Sequence, residues 1–203
     1  MTLARDNPFR VECLHALAYE FENGGSVASL LLRFEELGQR GAIVGPHGTG
    51  KTTLVQELIQ EWQRRGESVQ EIRLSASKRA SAFRQVQKFV QEAPREAILI
   101  LDGAEQLNWW QWRRFVRQSS SHAGLLITTH RPGRLTTLHE TRPSVASLQS
   151  LVDQLVTDTH DGWGEDLPVL FEQHRGNIRD CLRELYERSS TKTLPGPAQG
   201  TGG

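Results

Sequence analysis

The stretch Ala42-Ile43-Val44-Gly45-Pro46-His47-Gly48-Thr49-Gly50-Lys51-Thr52-Thr53 decides how the rest of the chain is read. Its first three residues are an apolar run of the kind found in a buried strand. Beyond it, Leu54, Val55, Leu58, Ile59 and Trp62 recur at helical spacing until Arg64-Arg65-Gly66 supplies a C-terminal signal. Between strand and helix, the spacing Gly45, four residues, Gly50-Lys51-Thr52 lets backbone amides curl around phosphates while the helix presents its positive end. In that geometry Lys51 reaches the β- and γ-phosphates and the Thr52 hydroxyl sits on Mg²⁺. Gly48 and Gly50 permit backbone angles and close approaches that a side chain would obstruct, and Thr53 assists from the helix start.

Working outward, the same alternation continues. A strand is expected near Val69 to Leu74, a helix near Ala80 to Gln91, a strongly apolar strand from Ala97 to Leu101, a helix from Asn108 to Gln118 and a strand from Gly124 to Thr128. Upstream, two helices are expected on the stripes Leu14/Leu17/Ala18/Phe21 and Leu30/Leu31/Phe34/Leu37. Parallel strands need helical crossovers and bury both faces, so the class is α/β: a parallel sheet flanked by helices in three layers. Pro132, Gly133 and Pro143 crowd a further short strand around Thr136 to His139. Beyond Ser144 the pattern turns helical, on Leu148/Leu151/Val152/Leu155, Leu167/Leu170/Phe171 and Ile178/Cys181/Leu182/Leu185. The organisation expected is a nucleotide-binding domain over 1–143, a helical lid over 144–190 and a disordered Pro/Gly-rich tail over 191–203.

The run Ile98-Leu99-Ile100-Leu101-Asp102 ends an apolar strand in a carboxylate and has the form of a Walker B motif. From the end of a strand beside the phosphate loop, Asp102 can hold water of the Mg²⁺ shell; the plainer alternative is that it opens the turn Asp102-Gly103. Hydrolysis also needs a group that orients the attacking water. Glu105 is the nearest candidate, reached if the backbone turns sharply at Gly103-Ala104, against the alternative of an ordinary helix-start glutamate. The strand Leu125-Leu126-Ile127 ends in Thr128-Thr129-His130-Arg131, where Thr128 or Thr129 could sense the γ-phosphate. Arg131 could balance phosphate charge or serve as a loop cation, and His130 reads as a loop histidine.

With these motifs the chain resembles the AAA+ and STAND branch of P-loop NTPases, across 7–188. Asp102-Gly103-Ala104-Glu105 followed by Thr128-Thr129-His130-Arg131-Pro132 is similar to the NACHT-type pattern, in which a second acid follows the first by three, and this implies a catalytic role for Glu105. Gly176-Asn177-Ile178-Arg179 is similar to the sensor 2 motif of AAA+ lids, which implies that Arg179 contacts the γ-phosphate; a helix cap followed by a surface arginine gives the same string. The resemblance implies ATP and Mg²⁺ as cofactors and ATP hydrolysis coupled to lid movement or a partner. Three features depart from it: Gly103 stands where many relatives place glutamate, no arginine finger is assignable, and no effector domain or repeat array is expected within the 203 residues. ATP over GTP rests on the resemblance and on the lack of an Asn-Lys-x-Asp guanine motif.

The 24 basic and 24 acidic side chains of the 203 residues cancel, which argues against wholesale nucleic-acid coating but leaves room for a local basic patch. Cys13 and Cys181 lack metal-ligand spacing, and no apolar run approaches membrane-spanning length, so a reduced, cytoplasmic setting is expected. Trp109, Trp110, Trp112, Arg113, Arg114 and Arg117 interleave aromatics with cations on one helix, a pattern that suits single-stranded nucleic acid. Trp109, Trp112 and Val116 also fall at core spacing, and core packing is the expected reading, with Trp110 alone to spare. The functions in play are an ATPase, a small-molecule or nucleotide kinase, and a nucleotide-gated binding module or DNA-helper ATPase with little turnover. Protein partner and oligomeric state are left open.

Overall fold

The computed structural model describes residues 19, 21, 24–75, 79–155 and 163–192. The chain divides into two units, one over 18–142 and one that takes in 143 onward. In the first, the elements run α1 (Val27–Glu36), β1 (Arg40–Val44), α2 (Lys51–Arg64), β2 (Val69–Arg73), α3 (Arg79–Glu92), β3 (Ile98–Asp102), a single 3₁₀ turn (Ala104–Gln106), α4 (Trp109–Ser119), β4 (Gly124–Thr129) and β5 (Thr137–Glu140). The expected N-terminal helix lies outside the described residues apart from Tyr19 and Phe21.

The five strands form one sheet in the order β2-β3-β4-β1-β5, and every pairing is parallel. The strand held in doubt by its flanking prolines is β5, an edge strand whose register against β1 shifts between Ala42 and Ile43, the place in a sheet where neighbouring prolines are tolerated. Because successive side chains leave a strand on opposite faces, the apolar runs of β1, β3 and β4 feed two cores at once. Ala42, Val44, Leu99, Leu101, Leu125 and Ile127 pack with Ala82, Val86 and Val90 of α3 and Trp112 and Phe115 of α4. Ile43, Ile98, Ile100 and Leu126 pack on the other face with Leu30, Leu31 and Phe34 of α1 and with Leu54, Leu58 and Trp62 of α2. This is the three-layer α/β fold expected from the sequence.

Helix α4 departs from its sequence reading. Trp112 and Phe115 are buried, but Trp109 is 56% exposed and Trp110 76%. Its sheet-facing arc is centred on Trp112, Phe115 and Ser119, and at about 100° per residue Trp109 falls at the rim of that arc, in the first turn, where it escapes cover.

The second unit contains α5 (Val145–Leu155), α6 (Trp163–Gln173) and α7 (Ile178–Lys192). These helices close their own core around Leu148, Val152, Leu167, Leu170, Cys181 and Leu185. Burial pushes the Cys181 thiol up to about 11, so it is a protonated core residue. Helix α7 continues to Lys192, past the residue where the tail was expected to begin, and 193–203 lie outside the described residues.

Removing the fully buried Phe115 ring with Phe115→Ala should cost about 3–5 kcal/mol of stability, while Trp110→Ala should stay within about 0.5 kcal/mol. Urea unfolding followed by circular dichroism distinguishes the two.

Candidate functional site

The C-terminal ends of β1, β4 and β3 meet on one edge of the sheet, where the chain leaves β1 for the far edge at β2 and returns strand by strand. Such reversal points open a crevice outside the strand ends. Helices α1 and α4 begin in side-chain capping boxes, Ser26 with Ser29 and Asn108 with Gln111. Helix α2 begins after Gly50 with no side-chain cap, which leaves its first-turn N–H groups and the positive end of its dipole for an anionic ligand.

The loop before α2 is drawn tight by its own side chains. Lys51 is buried and donates from Nζ to the carbonyls of Gly45 at 2.7 Å and Pro46 at 2.5 Å. Burial lowers its pKa, opposed by the charges of Glu105 and Asp102. Thr49 Oγ1 donates to the Pro46 carbonyl and lies 2.6 Å from the hydroxyl of buried Thr141, just past β5. A Cβ at Gly45 would lie 2.0 Å from that Thr141 hydroxyl, so only glycine fits there. Thr53 is partly buried in the first turn of α2, and His47 is exposed at the loop tip.

Asp102 is a buried junction. Its Oδ1 accepts from Thr128 Oγ1 at 2.5 Å, and its Oδ2 accepts from Arg73 Nε at 2.8 Å and from Thr52 Oγ1 at 3.4 Å. Thr128 Oγ1 in turn accepts from the Gly103 N–H at 2.9 Å. The Thr128 hydroxyl is therefore committed to holding Asp102 and the turn behind it, while the Thr129 hydroxyl donates to the carbonyl of Arg131, whose side chain is exposed. Thr52 and Asp102 bring a hydroxyl and a carboxylate together at the start of α2, the oxygen-only donor set that suits Mg²⁺ shared with phosphates.

Directly after Asp102 the chain turns through Gly103, with φ of 89° and ψ of 41°. A Cβ there would stand 2.9 Å from the Leu74 carbonyl oxygen, so a glutamate cannot occupy this position without displacing backbone. The turn brings Glu105 round instead. Its Oε1 lies 3.6 Å from His130 Nε2 and accepts from Gln106, while its buried Oε2 has no hydrogen-bond partner among the described residues. The His47 and His130 rings meet with centroids 3.7 Å apart. Burial, with help from the His47 and Lys51 charges, lowers the His130 pKa against the pull of Glu105 and Asp102, so the ring is neutral at pH 7.

Several participants escaped the sequence reading. Arg73, at the end of an edge strand, carried no motif. Arg134 stacks its guanidinium over Trp112, 5.0 Å from the ring centroid, and interacts electrostatically with Glu105. Tyr19, Phe21 and His139 form an edge-on aromatic cluster, and the Tyr19 ring comes within 3.1 Å of a Cβ built on Gly50. Their separation by about a hundred residues of sequence hid it. Arg179 belongs to the other unit, exposed in the first turn of α7.

Residues 42–139 match the model of the ATPase family associated with various cellular activities (AAA). Domain III of the replication initiation protein DnaA from Thermotoga maritima shares the fold with a TM-score of 0.58 at 15% identity, over 87% of this chain and 90% of that one. PCH-2 of C. elegans aligns with a TM-score of 0.41 at 13% identity, over 82% of this chain and 67% of that one. No curated protein matches the sequence.

Two substitutions probe the junction. Thr128→Val strands the Gly103 N–H and one oxygen of Asp102, an expected cost of about 1–3 kcal/mol. Gly103→Glu, which writes the Asp-Glu pair of many relatives into this chain, should destabilise by about 1–3 kcal/mol through the left-handed backbone alone. A Gly103→Glu protein of wild-type urea midpoint would contradict the turn described here.

Proposed function

With residues 42–139 matching the AAA family model, we propose that the chain is a P-loop ATPase that binds Mg-ATP and hydrolyses it, using Glu105 as the group that aligns and deprotonates water. The observation that carries this reading is the Glu105 carboxylate, with one buried oxygen uncommitted, placed by the turn at Gly103 where its charge acts on Lys51. The amides of Gly48, Thr49 and Gly50 and the first turn of α2 hold the phosphates, and Lys51 exchanges its loop carbonyls for β- and γ-phosphate oxygens. Thr52 and Asp102 would hold Mg²⁺, which would supply neutralisation of phosphate charge. Glu105 takes a proton from water as its oxygen bonds to the γ-phosphorus and the bond to the β-phosphate oxygen breaks, giving ADP and phosphate. Tyr19, Phe21 and His139 offer an apolar wall for the base. Thr129 and Arg131 are the remaining γ-phosphate candidates of this unit, and Arg179 is the candidate of the bundle, whose proposed movement or partner contact the hydrolysis would drive in the cytoplasm.

A second reading, a nucleotide-gated binding module with little turnover, is favoured by one contact: Arg73 already occupies Asp102 Oδ2. Phosphate release from Mg-ATP, measured beside binding of a fluorescent ATP analogue, decides between the two. The ATPase reading expects turnover that Lys51→Ala abolishes and that Glu105→Gln lowers by about 10²-fold or more with binding kept. Binding without turnover in the wild type selects the module, and neither property removes both readings.

A further inference from the structure

Helix α4 is divided lengthwise. Taking about 100° per residue, Trp109, Arg113, Arg117, Trp110 and Arg114 fall in that order within an arc of about 140°, and the buried residues of the helix occupy the opposite side. All five are exposed, and the helix has no acidic residue. Among the described residues, none of the three arginines makes an ion pair. Arg113 instead lies over the Trp109 ring, 4.9 Å from its centroid. The Trp109 and Trp110 rings meet edge to face at 79° with centroids 4.6 Å apart, so Trp109 braces Trp110 and Arg113 covers Trp109. The ring of Trp110, 76% exposed, is left as an open platform.

We propose that this face of α4 binds single-stranded nucleic acid, with a base stacked on Trp110 and phosphates drawn to Arg113, Arg114 and Arg117. The composition selects this occupant. Two large rings embedded among three unneutralised guanidiniums complement a chain that alternates flat π-faces with anions. An apolar protein surface would bury those cations without partners, at a desolvation cost that two rings do not offset. The 24 acidic groups that balance the chain's 24 basic ones lie elsewhere in the sequence than α4, so the attraction is local to the helix. A duplex hides the base faces that the platform needs, so single strands are preferred. This surface does not depend on nucleotide turnover, and its test is run without ATP, so failure of the ATPase reading would leave it standing.

Anisotropy of a labelled thymidine 20-mer, titrated with the intact chain between 50 and 200 mM salt, tests the proposal. Binding should weaken with salt at a slope near −2, from about 0.7 per arginine–phosphate contact. Trp110→Ala, whose fold is checked by its urea midpoint, should weaken binding about fivefold or more at an unchanged slope, and replacing the three arginines by alanine should flatten the slope. A uridine 20-mer competing equally well supports recognition of stacking and phosphate without regard to the sugar. Wild-type affinity in Trp110→Ala, equal binding of duplex, or no binding overturns the proposal. So does self-association, or capture by anionic phosphatidylserine vesicles, that depends on Trp110 in a chain that ignores the oligonucleotide.

Discussion

The hydroxyl of Thr128 is the point on which the site depends. It donates to Asp102 and accepts from Gly103, and so fastens the ends of β3 and β4 together while fixing the direction in which the chain leaves β3. Without that bridge the carboxylate would be held through Oδ2 alone, by Arg73 and Thr52, and the left-handed turn after it would lose a backbone partner. Both the oxygen beside Thr52 and the arrival of Glu105 follow from one side chain that carries no charge. The phosphate loop is fixed in the same manner from the opposite side, where Thr141 meets Thr49 and fills the space above Gly45.

Electrostatics at this sheet edge are balanced among few groups. Lys51 sits among its own loop carbonyls, with the charges of Glu105 and Asp102 opposing the penalty of its burial. His130 adds no fixed charge, since burial holds it neutral. The carboxylates therefore face one buried lysine, Arg73 paired with Asp102, Arg134 acting on Glu105 and the unfilled donors of α2, a balance that favours a polyanion arriving with its own cation.

Most of this architecture could be read from the chain because strong local signals coincide with buried features. The runs 42–44, 98–101 and 124–128 are apolar without alternation, as strands covered on both faces must be, and the loop 45–50 is marked by glycines at two positions of positive φ and one where no Cβ fits. What was hidden depends on contacts between distant segments. Trp109 was assigned to the core on periodicity, which reports an angle around a helix and not where the neighbouring layer ends. Arg73, Arg134 and the Tyr19/Phe21/His139 cluster have ordinary local sequences and acquire meaning only when the sheet order brings them together. Gly103 was seen as a missing glutamate, whereas its conformation explains why the acid comes two residues later.

The edge strand β5 ends at Glu140, Thr141 follows with its bond to Thr49, and the second unit begins at Pro143. Thr141, which fastens the loop 45–50 to the exit of β5, thus stands two positions before that boundary in the chain. An insertion between Glu140 and Thr141 would carry the Thr141 hydroxyl away from Thr49, so the length of the exit from β5 is set by the loop that it fastens.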